Sequence, residues 1–81
     1  MNAIIEKKIG ENIRSLREKK GFTQDYVATQ LQLRGCDMTR SAVAKIEVGQ
    51  RHIYPDEIIL LSQILGARYD EILSLDIDDA N

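Results

Sequence analysis

Residues 22–51 read FTQDYVATQL, then QLRGCDM, then TRSAVAKIEVGQR, and the fold follows from how those three pieces divide. Thr23 carries the hydroxyl of an N-cap, which accepts a backbone N–H from the first helical turn. The helix it opens has Val27, Ala28 and Leu31 at i, i+1 and i+4, the spacing of one buried stripe. Thr39 opens a second helix in the same way, and there Val43 and Ile46 stand three apart on one face. Arg40, Ser41, Ala44 and Lys45 are left over on that second helix, open to solvent or to a partner. The result is two short helices in succession, each with one narrow apolar stripe.

Two such helices joined by a turn form a helix-turn-helix, whose second helix fits the major groove of duplex DNA. The surrounding residues extend the pattern: Ile13, Leu16, Arg17 and Gly21 before it, then Thr23-Gln24, Val27-Ala28 and Leu31. It continues through Thr39, Val43, Ile46-Glu47, Gly49 and Arg51, and ends with Leu61, Leu65-Gly66 and Asp70-Glu71-Ile72-Leu73. As a set, over about residues 8 to 75, this resembles the Cro and phage-repressor type of helix-turn-helix, the XRE-like family. No single member of the set is diagnostic. The resemblance implies an all-α, five-helix lambda-repressor-like DNA-binding domain over residues 1–75, followed by an acidic tail, 76–81, with no packing signal.

The resemblance also implies roles. Arg17 pairs with Glu47 at the end of the recognition helix and orients the first helix against the third. Gln24 touches a backbone phosphate and steadies the recognition helix; the alternative is that it simply follows the Thr23 cap. Arg51 and His52 grip the phosphate backbone beside the recognition helix, although a lone histidine is usually a bland surface residue. On the recognition helix itself, Thr39, Arg40, Ser41, Ala44 and Lys45 form the DNA-facing set. Arg40 and Ser41 lie in the first turn, which points at base edges, and an arginine fork matches guanine O6 and N7. Lys45 can reach a base or a phosphate, and Ala44 is small enough to let a thymine methyl approach.

One departure stands out. From Ala28 to Val43 is 15 positions, where the resembled pattern has roughly ten. The surplus falls in Gln32 to Met38, so the tight turn becomes a loop, at little cost in closure entropy. Leu33 and Met38 are expected to tuck back over the core.

The rest of the chain fits one small domain of 81 residues. Ile5, Ile9, Ile13 and Leu16 predict an amphipathic first helix ended by Gly21, with Lys19 and Lys20 in its last turn. Helices are expected over 24–34 and 40–48, then from Pro55 to a stop at Gly66, and over about 69–75. Ile58, Leu61, Ile64 and Leu65 form the buried face of the fourth helix, while Ile59 and Leu60 either complete the core or join a dimer contact. An aliphatic core of this size, without Trp, leaves roughly 5 kcal/mol of stability.

The net charge of −2 conceals an asymmetry. All eleven Lys and Arg, with eight acids, lie in residues 1–68, a surplus of three positive charges; the other five acids lie in 69–81. A mildly basic body permits DNA binding without arguing for it. Cys36 stands alone, so no intrachain disulfide forms; it reads as a small apolar residue, with Arg34 the one neighbour able to lower its pKa. With no apolar run near the ~20 residues of a membrane span, a cytoplasmic location is expected. No Ser-His-Asp set, Gly-rich phosphate cradle or metal cluster is present in the sequence, so neither enzyme activity nor a cofactor is expected.

The functional expectation is a sequence-specific transcriptional regulator, most simply a repressor, binding double-stranded DNA as a homodimer with Ile72, Leu75 and Ile77 as candidate seam. Two alternatives stay open at this point. One is an antitoxin or phage-switch component with a protein partner on the acidic tail. The other is a protein-interaction domain that has lost DNA binding.

Overall fold

The computed structural model describes residues 2–75, and these form five helices in the order α1 (Ala3–Lys19), α2 (Gln24–Leu33), α3 (Arg40–Glu47), α4 (Pro55–Leu65) and α5 (Tyr69–Leu73). The starts follow from side-chain chemistry. Asn2 accepts from the N–H groups of Ile4 and Ile5, Thr23 from Tyr26 at 2.9 Å, and Thr39 from Ala42 at 3.1 Å, each satisfying an otherwise orphaned donor. At the head of α4, where Pro55 removes one such donor, the Glu57 carboxylate accepts from Tyr54 N–H at 3.0 Å.

The apolar stripes meet in one core of Ile13, Val27, Ala28, Leu31, Met38, Val43, Ile46, Leu61, Leu65, Ala67 and Ile72. α1 lies across α3 and α5, α2 packs between α3 and α4, and α4 closes against α5. The core therefore sits behind α3 and leaves its outer side uncovered.

Four expectations are corrected. Ile5 is 38% exposed, because the first turn of α1 stands clear of the helices that cover Ile13. Leu33 is 74% exposed, whereas Met38 is 1% exposed and supplies the whole apolar contribution of the long loop's ends. That loop is fastened by Gln32 Nε2, which donates to the Met38 carbonyl at 2.8 Å. α5 ends at Leu73 rather than near 75, because Asn12 Nδ2 donates to the carbonyls of Ile72 and Ser74, both at 2.8 Å, and Ser74 turns extended. Finally, Ile72 is fully buried in the core and unavailable to a dimer seam, while Leu75 is exposed; Ile77 and the acidic tail lie outside the described residues. Of the undecided pair on α4, Leu60 packs against the core and Ile59 is exposed.

Candidate nucleic-acid interface

The outer side of α3 follows directly from its inner side. With Val43 and Ile46 turned to the core at 2% and 3% exposure, the helical period puts Arg40, Ser41 and Lys45 in solvent, with Ala44 half-buried among them. Neither Arg40 nor Lys45 has an ion pair among the described residues. Thr39 is exposed as well, but its Oγ1 is committed to the Ala42 cap. The face is short and cationic.

Behind α3 the circumstances are reversed. Glu47, at its last turn, is 2% exposed and accepts from Arg17 Nε at 2.6 Å and Nη2 at 3.1 Å, a bidentate fork from α1. Arg17 Nη1 donates in addition to the Phe22 carbonyl at 2.7 Å, so the fork is aimed from both sides. The hydrogen bond to Glu47 raises the Arg17 pKa against the opposing effect of burial, so the guanidinium keeps its charge. Gln24, on the first turn of α2, donates Nε2 to Glu47 Oε1 at 2.9 Å. One buried carboxylate thus ties α3 to both helices behind it; the resemblance implied the Arg17–Glu47 pair, whereas the bonds from Gln24 to Glu47 and from Arg17 to the Phe22 carbonyl were not foreseen.

The α3–α4 loop holds Arg51 and His52, and the structure gives each a carboxylate. Arg51 donates to Glu57 through Nη1 at 3.0 Å and Nη2 at 3.2 Å, and its guanidinium lies 6.0 Å from the centre of the Tyr54 ring. That hydrogen bond to Glu57 raises the Arg51 pKa, and the partner largely neutralises the cation locally. His52 Nδ1 stands 2.8 Å from Glu6 Oε1, which ties the loop to the start of α1. Both residues therefore fasten this loop, whatever else they touch.

Sequence reasoning missed Gly10. Its Cα lies so close to α3 that a Cβ there would overlap the Ile46 carbonyl oxygen and stand 3.0 Å from that of Glu47. A glycine inside a helix is unfavourable by about 1 kcal/mol against alanine, and that misfit with local propensity was the available signal. Cys36 also differs from its reading. It is half-buried, its thiol pushed up by burial first and then by Glu57 and Asp56; the cation opposing this is Arg51, since Arg34 is turned to Gln30.

A helix with a bare cationic face, held from behind by two others, is the geometry of a groove-inserted recognition helix. The helix-turn-helix family profile matches residues 13–72, which contain that unit and most of its support. This chain belongs to the XRE-like helix-turn-helix family. Among solved structures, this helix-turn-helix chain is similar to the DNA-binding domain of BldD, with a TM-score of 0.76 and 23% identity over 90% of this chain and 99% of that one. It is also similar to the restriction-modification controller protein C.AhdI from Aeromonas hydrophila, with a TM-score of 0.76 and 28% identity over 86% of this chain and 94% of that one. No curated protein sequence matches the helix-turn-helix chain. Among its described residues no helix is long and apolar enough to cross a membrane, and no group of three or more His, Cys, Asp or Glu is placed to hold a metal ion.

Proposed function

We propose that this chain is a sequence-specific DNA-binding transcriptional regulator, acting as a repressor that covers a promoter and excludes polymerase. The observation that carries the reading is the asymmetry of α3: Glu47 behind it is bonded by both Arg17 and Gln24, whereas Arg40 and Lys45 in front have no partner among the described residues. Groove reading needs a helix whose position is fixed before the DNA arrives and whose donors are still unspent. Arg40 supplies the fork for guanine, Lys45 a base or phosphate contact, and Ala44 room for a thymine methyl. The likeness to a DNA-binding domain and to a controller protein supports the same reading.

One recognition helix reads only a few base pairs, so the working unit in this reading is a homodimer on a near-palindromic site. Leu73 and Leu75, 40% and 46% exposed beside the buried Ile72, are the seam we favour.

Selection from a random duplex pool at ~0.1 M salt, with Arg40→Ala beside the native protein, tests the reading. A palindromic motif containing G is expected, with the substitution weakening binding by about 1–3 kcal/mol and relaxing the G position. Weak binding without any motif, unchanged by Arg40→Ala, would overturn it.

A further inference from the structure

We infer that Lys7, on α1, is a backbone-phosphate anchor of the DNA interface and supplies the free positive charge at the edge formed by the α3–α4 loop. The inference rests on the DNA-binding reading above and goes beyond it in assigning a contact to the first helix. Arg51 and His52 are where the family resemblance would put phosphate contacts. Yet both side chains of that edge face carboxylates, Arg51 on Glu57 and His52 on Glu6. An arginine already forked by a carboxylate offers little net charge to a phosphate.

Lys7 reaches the same edge from the other side. It lies three residues before Gly10, on the helix face that Gly10 presses onto the last turn of α3. Its Cα and Cβ stand 2.9 Å from where a Cβ of Gly49 would be, and Gly49 immediately precedes Gln50, Arg51 and His52. Gly49 adopts φ 78°, a backbone region unfavourable to other residues, so this close seat is available to glycine on two counts. The Lys7 side chain is exposed and has no ion pair among the described residues, Glu11 one turn on included. Its neighbour Glu6 is turned to His52, Oε1 standing 2.8 Å from Nδ1, and makes no ion pair with Lys7. A flexible, fully hydrated ammonium beside the end of a groove-bound helix is a point charge suited to phosphate rather than to a base edge.

Lys8 provides the control, since it lies one residue on, about 100° round α1 and away from Gly49. Binding to a short random-sequence duplex is followed by fluorescence anisotropy between about 0.05 and 0.2 M salt for the native protein, Lys7→Gln, Lys7→Arg and Lys8→Gln. Each phosphate contact contributes about 0.9 to the slope of log affinity against log salt. Lys7→Gln is expected to lower the slope by about that amount, so that the native protein loses about 3.5-fold more affinity than the variant across the fourfold salt range. Lys7→Arg should keep the native slope, Lys8→Gln should keep it too, and all four proteins should melt alike. A native slope in Lys7→Gln, or an equal fall in Lys8→Gln, would overturn the assignment while leaving the DNA-binding reading intact. Absence of salt-dependent binding by the native protein would overturn both.

Discussion

Arg17 and Arg40 carry the same guanidinium in opposite circumstances. Arg17 is 9% exposed, and its donors go to Glu47 and to the Phe22 carbonyl; Arg40, at the head of α3, is exposed with no partner among the described residues. The first serves the position of the helix and the second is available to whatever that helix meets. Eight residues of α3 thus separate two kinds of chemistry, satisfied behind and unspent in front. A change behind should alter folding, and a change in front should alter binding alone.

The sharpest way to break that division is Arg17→Ala. It leaves Glu47 buried without its cation, which costs about 3–5 kcal/mol where both partners are withdrawn from water, and urea titration should find the variant close to unfolded. Replacing both partners, Arg17→Met with Glu47→Leu, should recover most of the loss, since no charge is then stranded. Smaller is the effect of Gly10→Ala, whose methyl would overlap the Ile46 carbonyl. We expect a loss of about 1–3 kcal/mol in the same titration, with α3 displaced and duplex affinity reduced more than the melt alone predicts. Arg40→Ala sharpens the comparison from the other side: its unfolding free energy should stay within about 0.5 kcal/mol of native even though specific binding falls.

The smallest effect lies in the long loop. Because burial and nearby carboxylates raise the Cys36 pKa, less thiolate is present at any pH below it than for a free thiol. Alkylation by iodoacetamide at pH 8 should be slower than for a small-molecule thiol, the rate curve should be shifted to higher pH, and unfolding in urea should abolish the difference. A Cys36 that reacts faster than the free thiol would contradict the packing of this loop against the head of α4.

How much of this was legible in the sequence divides along the same line. The bounds of α2 to α5 and the end of α1 were, to within a residue or two, because caps such as Thr23 and Thr39 and the stops at Gly21, Gly35, Gly49 and Gly66 act on their own neighbours; the start of α1 at the Asn2 cap was not. The exposure of Arg40, Ser41 and Lys45 was legible too, as the complement of Val43 and Ile46. Their contact with DNA remains a proposal. What local pattern did not reveal were the partners far along the chain: Gln24 on Glu47, Arg51 on Glu57, His52 on Glu6 and Asn12 on the end of α5. A polar side chain on a helix gives the same periodic signal whether it meets solvent or a carboxylate from a distant element. Arg17 with Glu47 was readable only because the family resemblance named the pair. Leu33 and Met38 show the same limit, two apolar residues in one loop of which packing buries only one.

The pair behind α3 also shapes how such a protein can change over generations. Altering Arg17 or Glu47 one at a time passes through a stranded buried charge, so the two positions are locked together. Arg40, Ser41 and Lys45 lie under no such lock. A lineage can exchange them singly and keep a folded domain at every step; under the proposed groove reading, that is a route from one operator to another while the frame that presents the helix stays unaltered.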